Sequence, residues 1–171
     1  MPDAASQRLF LALWPDAAQR EGLERHAGAW TWTEAARRTR PERLHVTLHF
    51  LGTVSAATVT ALRSGLDVRW EGCELLLDRP TVWPPGIAVL EASQVPPALA
   101  AFHARLGAQL QALQVPVETR RYRPHVTLAR KGFGSTPPPG FQPLAWQAGP
   151  GYALVRSLPG GQGYATLQAF G

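Results

Sequence analysis

The sequence RLHVTL occupies residues 43–48, and RPHVTL occupies residues 123–128. The two copies differ at a single position and lie one in each half of the 171-residue chain. A short apolar strand and then a helix are predicted ahead of each motif strand. Such self-similarity indicates an internal duplication. We therefore expect residues 1–171 to form one domain of two similar lobes around a pseudo-twofold axis, with equivalent residues facing a shared cleft.

Alternation along a strand decides which motif side chains share a face. His45 and Thr47 are two residues apart and fall on one face, as do His125 and Thr127. The apolar residues between and after them are expected to face the core: Val46, Leu48, Phe50, Val126 and Leu128. Side chains two positions apart are about 7 Å apart at Cα, so each His-Thr pair can straddle a small tetrahedral anion.

Two imidazoles and two hydroxyls around one anion favour acid–base chemistry. Imidazole titrates near pH 6.5, so a neutral and a protonated histidine can coexist at neutral pH. The neutral ring can take a proton from water while the cation protonates a leaving oxygen, and threonine hydroxyls can donate to oxygens that gain charge. One His-x-Thr in a strand is usually structural, whereas two in matching contexts indicate a site. The residues alone leave open which histidine is the acid.

A metal site is one alternative, because alternation puts His49 on the face of His45. Four strand positions span roughly 13 Å, too far for two ligands of one zinc ion with Zn–N bonds near 2 Å. We therefore expect no metal and no cofactor, with His49 lining or supporting the site. His26 and His103 fall on predicted helices and are expected to be surface or packing residues.

Two more residues are candidates for contact with a substrate. Phe10 lies on a strand that should neighbour the motif strands, where it borders the cleft or belongs to the core, and the core is the more frequent place. Arg130 follows the second motif, but alternation puts it on the face opposite His125 unless the strand bends. The roles of Arg43 and Arg123 stay open.

Composition favours a monomeric, cytoplasmic globular protein with an anionic partner. Apolar residues make up 45% of the chain, enough for a sizeable core, and the net charge is +5. All but one of the 17 basic residues, Lys131, are arginine. Arginine suits bidentate phosphate binding, although a high-GC coding bias produces the same composition. The single Cys73 excludes an internal disulfide, and the apolar run at residues 9–14 is too short to span a bilayer.

Hydrophobic periodicity predicts strands that alternate with helices. The strands are expected at residues 8–14, 44–51, 73–78, 86–92, 122–129, 152–158 and 164–170. The helices are expected from about residue 15 to 29, from an N-cap at Ser55 to about residue 66, and over residues 96–113. The Pro- and Gly-rich residues 132–140 are expected to form a loop, and Gly160-Gly161 a hairpin-like turn.

The paired motifs HVTL at residues 45–48 and 125–128 resemble the signature of the two-histidine phosphoesterases. More narrowly, the chain resembles the bacterial and archaeal RNA 2′,3′-cyclic phosphodiesterases, also called 2′-5′ RNA ligases. The resemblance extends over residues 8–13, 44–52 and 124–130, with a looser match near the C-terminus. It implies an α+β fold in a bilobal pseudo-twofold arrangement, with two antiparallel sheets, outer helices and a central cleft that holds both motifs.

The resemblance also implies metal-independent hydrolysis of a terminal 2′,3′-cyclic phosphate on RNA to a 2′-phosphate. In this interpretation His45 is the proton donor to the departing 3′ oxygen, and His125 is the proton acceptor that activates water. Thr47 and Thr127 hold the phosphate oxygens, and Arg130 corresponds to a substrate-binding arginine.

Two alternatives stay open. One is cleavage or ligation of 2′-5′ linkages in the same cleft, since ligation onto a cyclic phosphate is the reverse of cleavage. The other is an RNA-binding module that grips phosphate ends without turnover. Intact histidines and threonines in both motifs favour catalysis, because a pure binder would not require them.

Overall fold

A computed structural model describes residues 6–171, which form an α+β fold of antiparallel strands and outer helices. The α-helices are α1 (Ala17–Gly28), α2 (Ala56–Gly65) and α3 (Pro97–Ala112). The strands are β1 (Gln7–Leu13), β2 (Arg37–Arg38), β3 (Val46–Val54), β4 (Cys73–Leu77), β5 (Arg79–Trp83), β6 (Ile87–Glu91), β7 (His125–Arg130), β8 (Leu144–Ala148), β9 (Tyr152–Ser157) and β10 (Tyr164–Phe170). Short 3-10 helices cover Pro41–Arg43 and Pro159–Gly161.

The strands form two antiparallel sheets, as predicted. The large sheet has the order β10-β9-β1-β3-β7-β6-β5, with β2 paired to β7, and the small sheet pairs β4 with β8. Helix α3 packs an apolar face against the core: Leu99, Phe102, Leu106 and Leu110 are fully buried. The α+β class is therefore confirmed, and the two motif strands β3 and β7 lie at the centre of the large sheet.

The two motif strands pair with each other at a single residue pair. β3 pairs with β1 along most of its length and β7 pairs with β6, but β3 and β7 share only the pair Val46–Val126. Both valines are fully buried and fix this junction to the core. Beyond the pair the motif strands diverge, and the central cleft lies over this junction.

Each motif strand carries a β-bulge directly after its threonine. In β3 the register with β1 shifts between Thr47 and His49, and in β7 the register with β6 shifts between Thr127 and Ala129. An extra residue in a strand breaks the alternation of faces. Residues beyond the bulge therefore point to the opposite side from the one that simple alternation predicts.

The bulges overturn two expectations about side-chain direction. Alternation predicts Phe50 in the core, but it is 52% exposed and lines the cleft. Alternation also places Arg130 opposite His125, but it lines the same cleft as that histidine. His49 moves the other way and is buried on the core side. The motif segments alone do not reveal the bulges, because a bulge depends on the pairing with a neighbouring strand.

The two motif segments match in burial as well as in sequence. Residues 44–50 and 124–130 have the same succession of buried, half-buried and exposed positions, residue for residue. Each motif strand also pairs with the strand that opens its half of the chain. The two segments are thus alike in sequence, burial and strand pairing, and the internal duplication stays a prediction.

The structure contains three strands that the sequence did not predict: β2, β5 and β8. β5 contains Pro80 and lies at the edge of the large sheet, where a missing N–H group is tolerated. β8 follows the proline-rich loop, and β2 is only two residues long. The first motif strand begins at Val46 rather than at residue 44, because the 3-10 helix Pro41–Arg43 precedes it. The other predicted strands and helices are confirmed, with ends that differ by a few residues.

A side-chain hydrogen bond fixes the start of α2. Ser55 caps α2 as predicted, because its side chain accepts a hydrogen bond from the Thr58 N–H group at 3.2 Å.

His26 is buried and its Nε2 accepts a hydrogen bond from the Trp30 indole N–H group at 2.9 Å, so its predicted packing role is confirmed. Burial lowers the pKa of His26 to about 4. Burial raises the pKa of the half-buried Cys73, which disfavours a reactive thiolate.

Within residues 6–171, the helices are too short or too polar to cross a lipid bilayer.

Candidate active site

The four motif side chains meet at the junction of the two halves. Val46 pairs with Val126 in antiparallel register. Continuing that register by one residue in each direction sets His45 across from Thr127, and Thr47 across from His125. All four line one cleft with a volume of about 650 Å³. The structure therefore brings the predicted histidines and threonines together.

Backbone carbonyls fix the orientation of both imidazole rings. His45 Nδ1 lies 2.7 Å from the Arg43 carbonyl oxygen, and His125 Nδ1 lies 2.7 Å from the Arg123 carbonyl oxygen. A carbonyl can only accept, so Nδ1 carries the hydrogen in both rings and the lone pair of the neutral ring is on Nε2. Each motif thus holds its histidine with Nε2 as the atom available for proton transfer.

Thr47 makes contacts both in the cleft and toward the core. Its Oγ1 lies 3.0 Å from His45 Nε2, and it donates to that nitrogen when the ring is neutral. Its carbonyl accepts a hydrogen bond of 3.0 Å from the Tyr122 hydroxyl. The Tyr122 ring in turn stacks on His103 at 3.9 Å. Helix α3, which carries His103, therefore helps to position the first motif.

His45 lies among three aromatic side chains. Its ring stacks on Phe10 with centroids 4.9 Å apart, and Trp14 and Tyr164 lie at 5.3 and 5.4 Å. Phe10 is only 4% exposed, so it is a core residue that also borders the cleft, and both interpretations from the sequence apply. Burial lowers the pKa of His45 to about 4, against the effect of the Arg43 carbonyl, and repulsion by His125 lowers it further.

His125 has a more polar environment. Trp83 contacts its ring edge-on at 4.5 Å, and Glu91 is its cross-strand neighbour on β6. Glu91 is buried, and Arg123 donates to both of its carboxylate oxygens at 3.0 and 3.2 Å. Burial lowers the pKa of His125; the Arg123 carbonyl and the Glu91 charge oppose this shift, and the Arg123 guanidinium adds to it.

Phe50 and Arg130 occupy equivalent positions, five residues after the histidine of each motif. Both follow a β-bulge and both line the cleft. The first lobe thus presents an aromatic ring to the cleft where the second lobe presents a cation. The two lobes therefore present chemically different side chains to the cleft at equivalent positions.

His49 supports the site from the core side. Its Nε2 donates to the His103 carbonyl at 3.0 Å, and the two rings stack at 3.9 Å. The bulge has turned it away from His45, so these two rings do not converge on one ion. In the described part of the chain, no group of three or more His, Cys, Asp or Glu side chains is placed to hold a metal.

Sequence reasoning missed four residues around the histidines. Trp14 and Tyr164 contact His45, Trp83 contacts His125, and Glu91 neighbours His125. Trp83 lies on an unpredicted strand. Glu91 lies inside a predicted strand, and an acidic residue in an otherwise apolar strand is a signal that could have marked it.

Comparison with known proteins agrees with this geometry. A family model for LigT-like phosphoesterases matches residues 90–145. The chain is 34% identical over 139 residues to the RNA 2′,3′-cyclic phosphodiesterase of Escherichia coli K12, covering 79% of each protein. It also matches the crystal structure of E. coli LigT complexed with 3′-AMP with a TM-score of 0.79 and 30% identity, over 96% of this chain and 97% of that one.

A more distant solved structure is TT0787 of Thermus thermophilus, with a TM-score of 0.70 and 26% identity over 95% of this chain and 96% of that one. The similarity to these structures covers both lobes and both motif strands. The chain therefore belongs to the family of LigT-like two-histidine phosphoesterases.

Proposed function

We propose that this protein hydrolyses a terminal 2′,3′-cyclic phosphate on RNA to a 2′-phosphate, without a metal ion. The observation that carries the proposal is the arrangement of two His-Thr pairs around the Val46–Val126 junction in one cleft. Both rings are fixed by a carbonyl at Nδ1 and keep Nε2 for proton transfer. A cyclic phosphodiester needs one proton removed and one delivered, which matches two such rings.

In the proposed reaction, His125 Nε2 takes a proton from water as the water oxygen attacks phosphorus. The bond between phosphorus and the 3′ oxygen breaks, and protonated His45 gives its proton to that oxygen. The bond to the 2′ oxygen remains, so the product carries a 2′-phosphate and a free 3′-hydroxyl. The assignment of His45 as donor and His125 as acceptor follows the family resemblance.

The threonines act on the phosphate oxygens that gain charge. In the free protein the Thr47 hydroxyl donates to neutral His45. Once His45 Nε2 is protonated it becomes a donor, and the Thr47 hydrogen is free to turn toward a phosphate oxygen. Thr127 has the equivalent position in the second motif. In the first motif, protonation of His45 is therefore coupled to release of the Thr47 hydroxyl for a contact with the phosphate.

The relatives support this chemistry. The E. coli relative is an RNA 2′,3′-cyclic phosphodiesterase, and its LigT structure has been solved with 3′-AMP, a nucleotide with its phosphate on the 3′ oxygen. Phe10 and Arg130 border the same cleft as the motifs. We infer that both residues belong to the site of the terminal nucleotide: Phe10 borders it and packs under the His45 ring, and Arg130 contacts the phosphate.

The direct test is incubation of a short RNA that ends in a 2′,3′-cyclic phosphate with protein that has been treated with EDTA. We expect conversion to the 2′-phosphate, at a rate that added Mg²⁺ or Zn²⁺ does not raise. A 2′-5′-linked dinucleotide is incubated in parallel, and RNA with a 3′-phosphate serves as the control without a strained ring. Product position is read by chromatography against 2′- and 3′-phosphate standards.

Other outcomes identify the alternatives. Turnover of the 2′-5′ linkage alone would replace the proposal by 2′-5′ phosphodiesterase activity. Tight binding of the cyclic end with no product would indicate an RNA-end binding module. Loss of all turnover in EDTA, restored by a metal, would contradict the metal-independent mechanism.

The pH dependence should differ between kcat/KM and kcat. The pKa of both histidines is lowered in the free protein, to about 4 for His45, so both rings are neutral near pH 7. The reaction needs one protonated ring, so kcat/KM should fall with rising pH above about 6.5, approaching tenfold per unit. A bound phosphodiester anion raises the histidine pKa, and the fall in kcat should therefore begin at higher pH.

Steady-state rates from about pH 5 to 9 at constant ionic strength cover the range in which both parameters should change. Samples preincubated at each pH and assayed near pH 7 separate titration from unfolding. If kcat and kcat/KM fell over the same alkaline pH range, or if kcat/KM rose between about pH 6.5 and 8, the protonation states assigned to the two histidines would be contradicted.

A further inference from the structure

The catalytic cleft continues into a second recess, which we call the arginine pocket. Four arginines line it: Arg8, Arg43, Arg130 and Arg156. It shares Arg8, Arg43, Arg130 and Tyr164 with the cleft that holds the motif histidines. The two spaces are therefore continuous, and a ligand that occupies the cleft can extend into the pocket.

The charges of the arginine pocket have no acidic partner in the described part of the chain. No Asp or Glu lines the pocket, and within residues 6–171 the four guanidinium groups make no ion pair. By contrast, Arg123 and Arg79 pair with Glu91, and Arg120 pairs with Glu118. Four cations around one recess repel each other and create a local positive potential that an anion relieves.

The fold brings these arginines from four distant segments. Arg8 precedes Phe10 by two residues on β1 and lies opposite Ser157 of β9. Arg43 ends the 3-10 helix ahead of β3, and Arg130 ends β7 beyond its bulge. At Gly163, with φ of 107°, an added Cβ would lie 3.3 Å from the Arg43 guanidinium nitrogens. Glycine there leaves room for that side chain against the β9–β10 turn.

The opposite end of the cleft has a different character. There the recess is lined by Phe50, Trp83 and Tyr122, together with the carboxylate of Glu118. The guanidinium of Arg123 lies 4.3 Å from the centre of the Trp83 ring and is paired with Glu91. This recess is also lined by Arg120, Arg121 and Arg130, but Glu118 pairs with Arg120 and Glu91 pairs with Arg123. The arginine pocket has no acidic lining residue and so has the larger excess of positive charge, which favours it for a second phosphate.

We propose that the arginine pocket binds the phosphodiester on the 5′ side of the terminal nucleotide, so that the enzyme recognises RNA ends rather than isolated cyclic nucleotides. This inference rests on the proposed function, since it takes the cyclic phosphate to lie between His45 and His125. The next phosphate along the strand is then one nucleotide away. Guanidinium groups bind phosphate through charge-assisted, often bidentate hydrogen bonds.

The test compares two substrates with the same terminal nucleoside: adenosine 2′,3′-cyclic phosphate, which has no 5′-phosphate, and the dinucleotide ApA with a 2′,3′-cyclic phosphate. The variants are Arg8→Gln, Arg156→Gln and the double variant. Arg105→Gln is the matched control, because Arg105 is an exposed arginine of α3 outside both recesses.

For the dinucleotide, we expect KM to rise about threefold in each single variant and about tenfold or more in the double variant. For the mononucleoside substrate, the rise should stay below about threefold. The slope of log KM against log salt concentration for the dinucleotide should fall by about 0.7 when the phosphate contact is lost. Arg105→Gln should behave as wild type in each measurement.

Each other outcome overturns a distinct claim. Equal effects on the two substrates, or no effect in the double variant, would overturn the second phosphate site while the wild-type turnover leaves the proposed function standing. Failure of wild-type protein to hydrolyse either cyclic phosphate would overturn the proposed function, and this inference with it. Thermal unfolding of each variant shows whether a loss reflects folding rather than binding.

Discussion

Replacing His45 or His125 by alanine should lower the turnover of a cyclic-phosphate RNA by about 10²–10⁴-fold for each variant. The reason is that each ring supplies a different proton transfer from Nε2 while its Nδ1 is held by a carbonyl. Because the two transfers occur in one reaction, the double variant should lose little more than the more damaged single variant. Single-turnover rates with the protein in excess provide the measurement.

A substrate with a better leaving group distinguishes the two histidines. A phosphodiester that releases 4-nitrophenolate needs no proton on its leaving oxygen at neutral pH. With this substrate His45→Ala should lose far less activity than with the cyclic RNA, whereas His125→Ala should lose similar activity with both. The reverse pattern would exchange the acid and base roles. Near-normal turnover of both substrates in either folded variant would contradict two-histidine catalysis.

The acid and base roles are worth testing because the two histidines have different surroundings in the free protein. Burial among aromatic rings lowers the pKa of His45 to about 4. The charge of Glu91 raises the pKa of His125 against the effect of burial. The pKa of both histidines is thus lowered by burial, and at His125 the Glu91 carboxylate opposes that shift. If His45 is the donor, the bound phosphate anion should raise its pKa and so increase the fraction of protonated His45 in the complex.

Replacing both Thr47 and Thr127 by valine should lower kcat by about 10²–10³-fold, while KM changes by less than about tenfold. Valine keeps the shape of threonine and removes only the hydroxyl group. Removal of a donor to an oxygen that gains charge in the transition state costs about 10²–10³-fold in other enzymes. The substrate oxygens carry less charge in the ground state, so binding should be affected less.

Thr39→Val is the matched control for the threonine variants. Thr39 lines the same cleft but lies outside the two motifs, and its backbone N–H group, which valine retains, pairs with the Leu128 carbonyl. It should keep kcat within about threefold of wild type. A double variant with normal kcat and a raised KM would show that the two hydroxyls serve ground-state binding only, and would contradict the proposed transition-state contact.

The motif residues could be placed from the sequence because strand alternation holds over short distances. His45, Thr47 and their counterparts lie within the three residues around the Val46–Val126 pair, ahead of either bulge. Beyond Leu48 and Leu128 the same rule fails, and Phe50 and Arg130 turn to the cleft instead of away from it. A bulge depends on pairing with a neighbouring strand, which one segment alone does not reveal.

The surroundings of the histidines could not be predicted for a similar reason. Trp14, Trp83 and Glu91 reach the site through the pairing of distant strands, and Trp83 lies on an edge strand that Pro80 concealed. The pKa of each histidine depends on these neighbours. The sequence therefore predicted the chemical groups of the site, whereas their protonation is a property of the assembled sheet.

The one-pair contact between β3 and β7 has a consequence for the size of the opening that receives the substrate. Had the ladder continued past Val46 and Val126, the two motif strands would lie side by side along their length and leave no space between the rings. The two buried valines anchor the one point at which the motif strands pair. The space between the two histidines thus depends on where this ladder stops, at a pair of residues buried in the core.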